Sequence, residues 1–96
     1  MATPMPAEPP SWAAVHLETF FDLDRWQVSR KGNPFIRVDG YCCTLFPARG
    51  GGWKWCVATD AAHRPLWSPQ ILGSERLARA DAWEWLVELV RAEGEG

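Results

Sequence analysis

The chain has 96 residues, 47% hydrophobic and 23% charged, with a formal net charge of −2, as expected of one water-facing domain with a single core. No apolar run approaches the roughly 18 residues of a membrane-crossing helix, which excludes that class. The N-terminus has no basic stretch followed by an apolar one, so no secretion signal is expected and the expected location is cytoplasmic.

Met1 to Pro10 holds Pro4, Pro6, Pro9 and Pro10. With few apolar anchors, residues 1–10 are expected to form a disordered or extended tail. Residues 11–93 are expected to form one domain. Ser11 is placed to cap a short helix from Trp12 to Phe21. That helix would gather Ala13, Leu17, Phe20 and Phe21 on one side and turn Glu18 and Thr19 away. Trp26 to Ser29 alternates as a strand does. Lys31-Gly32-Asn33-Pro34 then turns the chain.

Two hairpins follow. Asp39-Gly40 supplies the positive φ angles of a type I′ turn. This fixes a register in which Val38 faces Tyr41, Ile36 faces Cys43 and Phe35 faces Thr44. Arg49 to Gly52 closes the second hairpin and returns Trp53 to Thr59. Alternation then sorts the strands onto two faces. One face carries Ile36, Val38, Tyr41, Cys43, Leu45, Trp53, Trp55 and Val57, and is a core. The other carries Phe35, Arg37, Cys42, Thr44, Phe46, Lys54, Cys56 and Ala58, half polar and half aromatic. Asp60 to Pro65 reads as a loop. Leu66 to Ser68 reads as a short edge strand limited by Pro65 and Pro69.

Ser74 is a good N-cap, and Glu75 suits the positive end of the helix dipole. The helix is expected to reach about Ala92, with Gly94 ending it. Its apolar stripe is Ala78, Ala82, Trp85, Leu86 and Leu89. Asp81, Glu84, Glu88 and Arg91 form the wet side. Trp83, Val87 and Val90 make a second apolar edge that either meets the N-terminal helix or stays exposed. The expected fold is α+β: an antiparallel meander of three to five strands, a long C-terminal helix packed on one face, and a short N-terminal helix. The simpler place for the N-terminal helix is over the second sheet face, with Phe20 or Phe21 on Phe35 and Phe46. The alternative leaves that face open.

Catalytic chemistry is poorly provided for. The two histidines, His16 and His63, lie far apart, and no Ser or Cys sits in a nucleophile motif. Cys42, Cys43 and Cys56 are an odd set. Adjacent strand residues point to opposite faces, and Cys42 and Cys56 lie diagonally, so reduced thiols are expected. Cys42, Cys56 and His63 lack a CxxC pair and a fourth ligand, so no metal is assigned. Gly50-Gly51-Gly52 leads into a strand, not a helix, and reads as a hairpin tip rather than a phosphate loop. No cofactor and no catalytic residue are expected.

Charge is uneven. Residues 24–64 carry +4, while the segments before and after carry −3 each. Arg outnumbers Lys eight to two and Asn33 is the sole Asn, a bias typical of a high-GC bacterial or phage genome. Two binding surfaces emerge. Trp83, Val87 and Val90 form a candidate protein-contact patch. Phe35, Arg37, Phe46 and Lys54, helped by Arg30 and Arg49, form a candidate nucleic-acid face, since aromatics stack on bases and cations meet phosphates.

From Tyr41 to Leu89 the order of features resembles the ethylene-response-factor type of DNA-binding domain, also found near the front of some phage integrases. The residues that carry it are Gly52-Trp53-Lys54-Trp55 opening a strand, Leu66-Trp67 in a short strand, and Gly73-Ser74-Glu75 leading into a helix with Ala78, Ala80 and Ala82. The resemblance implies sheet side chains entering the DNA major groove, with Arg49, Trp53 and Lys54 at the corresponding positions. The strand Tyr41 to Phe46 departs from it, carrying Cys-Cys-Thr-Leu-Phe where that family is rich in Arg.

The expected function is therefore that of a small non-enzymatic binding domain. Its first expected partner is a protein that it regulates or inhibits. The alternative is nucleic acid at the aromatic and basic sheet face. A thiol- or zinc-dependent activity at Cys42 and Cys56 ranks last. A homodimer is compatible with the sequence, and no membrane partner is expected.

Overall fold

The computed structural model describes residues 11–59 and 64–95, with side chains as far as Glu93. The expected N-terminal tail and most of the 60–65 loop, including His63, lie outside the described residues. Helix α1 (Trp12–Phe21) comes first, then a 3₁₀ turn at Leu23–Arg25. Strands β1 (Gln27–Val28), β2 (Pro34–Val38), β3 (Tyr41–Pro47), β4 (Trp53–Thr59) and β5 (Leu66–Trp67) follow, and helix α2 (Glu75–Glu95) ends the chain. The strands form one antiparallel sheet in the order of the sequence. This is the α+β meander with two helices that the sequence predicts.

Local chemistry explains each junction. The Ser11 hydroxyl accepts the Ala14 N–H at 3.1 Å, and the Ser74 hydroxyl accepts the Leu77 N–H at 3.1 Å. Each satisfies a first-turn amide that has no partner inside its helix. Asp39 and Gly40 have φ of 47° and 83°, the two positive values of a type I′ turn. The register they impose is the expected one: Val38 opposite Tyr41, Ile36 opposite Cys43, Phe35 opposite Thr44. In the second hairpin Cys43 pairs with Val57, Leu45 with Trp55 and Phe46 with Lys54.

Gly52 is constrained twice. Its φ is 84°, and a Cβ there would lie 2.5 Å from Ile71 Cγ2 and 2.9 Å from the Leu72 carbonyl oxygen. The segment after β5 runs back against the start of β4. The Trp53 N–H donates to the Leu72 carbonyl at 2.8 Å, and the Leu72 N–H donates to that of Trp53 at 2.7 Å. Only a residue without a side chain lets the two backbones come this close.

The core lies between the first sheet face and both helices. Ile36, Val38, Cys43, Leu45, Trp55 and Val57 meet Ala78, Ala82 and Leu86 of α2 and Phe20 of α1. Trp55 is fully buried, and its indole N–H donates to Asp81 Oδ2 at 2.8 Å. A buried indole needs such a partner. Asp81, expected on the wet side, is thereby drawn inward.

The main correction concerns α1. It does not cover the second sheet face. It packs on β2 and beside α2, on the core side. Its inward stripe is Trp12, His16 and Phe20, at a spacing of four, with Phe20 buried and the other two half-buried. Leu17 and Phe21, expected to be packed, are exposed. The reason is aromatic: Trp12 stacks on Trp83 at 5.7 Å, and Phe20 meets Trp83 at 4.9 Å and Trp26 at 5.4 Å. Three smaller expectations also change. Trp85 is exposed rather than core, β1 holds two residues, and α2 runs through Gly94 to Glu95.

Gly50 and Gly52 share nearly the same φ, but only Gly52 is crowded. Gly50→Ala is expected to cost about 1 kcal/mol from the left-handed backbone alone. Gly52→Ala is expected to cost roughly 1–3 kcal/mol more through overpacking. Urea unfolding of the two variants measures the difference, and equal losses would contradict the close approach of β4 and Leu72.

Candidate functional site: the open sheet face

Strand register places the second face residue by residue. Phe35 and Arg37 come from β2, Cys42, Thr44 and Phe46 from β3, and Lys54, Cys56 and Ala58 from β4. β5 adds Trp67 opposite Cys56, and β1 adds Gln27 opposite Phe35. Among the described residues, no helix lies over this face. None of its side chains is a carboxylate.

The aromatic residues form a bent row across the sheet. Phe35 is opposite Thr44, Phe46 lies two residues further along β3, and Trp67 on β5 is opposite Cys56, back at the level of Phe35. The Phe46 and Trp67 rings are 5.4 Å apart and tilted by 35°. Lys54 Nζ stands 5.4 Å from the centre of the Trp67 ring, within cation–π range. Trp67 keeps 48% of its surface exposed. At about 4.8 Å per strand the row from β2 to β5 spans roughly 14 Å.

Sequence reasoning missed Trp67 as a member of the face. The signal was available: it alternates with Leu66, which pairs with Val57 on the core side. The two tight connections add charge at one end. The β1–β2 turn carries Arg30 and Lys31, and the β3–β4 turn carries Arg49, all exposed. Both turns lie at the end of the sheet where Phe35, Phe46 and Lys54 sit. Between residues 25 and 59 there are six bases and one acid, Asp39, which lies in the turn at the opposite end.

Of the positions implied by the ethylene-response-factor resemblance, Lys54 is on the open face and Arg49 is at the exposed tip. Trp53 is not: it lies on the other face, half-buried against the core.

The three thiols are free. Burial pushes the Cys43 thiol far above its ordinary range, and Cys42 and Cys56 add to the effect. Burial, then the neighbouring Cys42, raises that of Cys56. Neither is poised as a nucleophile, since the reactive species is the thiolate. Among the described residues no cluster of three or more His, Cys, Asp or Glu side chains is arranged to hold a metal.

The proposed protein-contact patch is half-buried rather than exposed. Trp83 is sandwiched by Trp12, Phe20 and Phe21. Val90 packs against the core cluster, and Val87 lines a groove with Trp12 and Ala13. Of the two expected alternatives for this edge, the structure shows the one in which it meets α1.

No family model matches the chain, and no curated protein or solved structure does.

Two outcomes follow. Trp83→Ala is expected to destabilise the fold by about 3 kcal/mol, as large-to-small changes at packed aromatics do, and to lower protection from proteolysis across residues 12–21. A variant as stable as the parent would show that the aromatic contacts do not hold α1. A colourless thiol reagent counted by mass is expected to label at most two cysteines in the folded protein and three in urea. Rapid labelling of Cys43 in the fold would contradict its burial.

Proposed function

We propose that this chain is a non-enzymatic binding domain whose open sheet face binds single-stranded nucleic acid. The observation that carries the reading is that both helices pack on the same side of the sheet. That leaves Phe35, Phe46 and Trp67, with Lys54 and Arg37 on the same face, uncovered by either helix.

Unpaired bases present faces that stack on aromatic rings, at roughly 1–3 kcal/mol per base by alanine substitution. A row of about 14 Å suits two or three bases. The flanking cations Arg30, Lys31 and Arg49 are placed to meet the phosphates. The net charge of −2 does not oppose this, because the acids are concentrated in the flanking segments. Stacking suits a single strand better than a duplex, whose bases are hidden from an aromatic row. β3 also lacks the arginines that read a major groove. A protein partner is the second reading, favoured not at Trp83 but by a cleft at the start of α2.

The test is fluorescence anisotropy of labelled oligothymidylate and oligouridylate, with duplex DNA of the same length for comparison. Single strands are expected to bind more tightly than duplex. With three or four phosphates met, the logarithmic salt slope is expected near −2 to −3. Trp67→Ala and Phe46→Ala are each expected to weaken binding about tenfold or more, and Lys54→Gln to flatten the salt slope. Absence of binding at low salt, or affinity unmoved by Trp67→Ala, would contradict the reading.

A further inference from the structure

Two adjoining depressions lie between the 3₁₀ turn, β1 and the first turns of α2. They share Leu23, Arg76 and Arg79, so they form one continuous cleft. Its walls are unusual in two respects.

The first is apolar exposure. Leu23, Val28 and Phe21 keep 62%, 69% and 39% of their surface exposed. Scattered exposed apolar side chains are ordinary, but three around one concavity make a patch. The second is an excess of positive charge, one cation of which is buried. Arg79 is only 8% exposed. Its guanidinium lies 4.7 Å from the Trp26 ring centre, and one nitrogen donates to Glu75 Oε1 at 3.0 Å. Its Nε is buried and has no hydrogen-bond partner. Buried donors of charged groups are seldom left so. Arg76 stands beside it, exposed. Glu75 is the only carboxylate lining the cleft, against two guanidinium groups.

We propose that this cleft docks a segment of a partner protein that presents a carboxylate beside a large apolar side chain. The apolar side chain would lie on Leu23, Val28 and Phe21. The carboxylate would bridge Arg76 and Arg79, using the planar donor geometry that makes arginine the preferred carboxylate partner. The opening helix of α2 adds a favourable field for a negative group. Openness argues for a peptide. Walls this exposed cover one side of a ligand, whereas small-molecule sites bury most of theirs.

The experiment is selection of a displayed library of random 12-residue peptides against the full chain, followed by affinity measurement on the synthesised winners. The enriched peptides are expected to share an Asp or Glu next to Leu, Ile or Phe. Leu23→Ser, Arg76→Ser, and Gln replacing the peptide's acid are each expected to weaken binding at least tenfold. Leu23 and Arg76 are exposed, so both variants keep the fold. Their binding to oligothymidylate should be unchanged, which separates this site from the sheet face. Four results would overturn the proposal. One is no enrichment. Another is enriched peptides indifferent to both substitutions. A third is self-association of the chain that Leu23→Ser abolishes, which makes the cleft a self-interface. The last is saturable binding of octanoate at the cleft with no peptide selected.

Discussion

The contact of Trp12 and Phe20 with Trp83 decides what the rest of this molecule can do. It fixes α1 beside α2, on the core side of the sheet. Two indole hydrogen bonds reinforce that position: Trp12 donates to Asp39 Oδ2 at 2.8 Å, and Trp26 donates to the Phe20 carbonyl at 2.7 Å. The first ties the start of α1 to the β2–β3 turn. The second ties its end to the segment that enters β1. Fully burying Phe20 contributes roughly 2–3 kcal/mol, a large share of the margin of a chain this small. A helix held at both ends on one side cannot also shield the other side.

Much of the fold was legible because its signals are local. Asp39-Gly40 permits one turn type, that turn permits one register, and period-two alternation then places Ile36 through Val57. The caps at Ser11 and Ser74 are local too. The side chosen by α1 was not legible, because it depends on residues far apart in the chain finding Trp83. The same holds for Arg79. A charged residue in an Ala-rich helix reads as exposed, yet it lies three positions before Ala82 and seven before Leu86, on the buried stripe. The ring of Trp26, more than fifty residues earlier, gives it a surface to lie on. Its pairing with Glu75 at i, i+4 was the signal available. Trp85 erred in the opposite direction. Its position on the helical wheel is apolar, but small Ala78 and Ala82 bring α2 so close that Leu86 fills the space.

Charge and aromaticity are divided between the two sides of the sheet. On the core side the tryptophans are structural: Trp12, Trp26, Trp55 and Trp83 all pack inward, and three of them donate to fixed acceptors. On the open side Trp67 is half-exposed and flanked by Lys54 and Phe46. A face built only to meet water gains nothing from two phenylalanines and a tryptophan. A chain of alternating cations and rings is instead suited to a flexible polyanion with flat bases. The cleft at the start of α2 lies at the β1 edge of the sheet and borders the open face at Gln27.

The most direct measurement is backbone and tryptophan side-chain NMR of the labelled chain titrated with oligothymidylate. The account predicts that shifts cluster at Phe35, Thr44, Phe46, Lys54, Cys56 and the Trp67 indole, with the α1 and α2 amides and the Trp55 and Trp83 indoles undisturbed. Shifts confined to the helices, or none at saturating oligonucleotide, would contradict it.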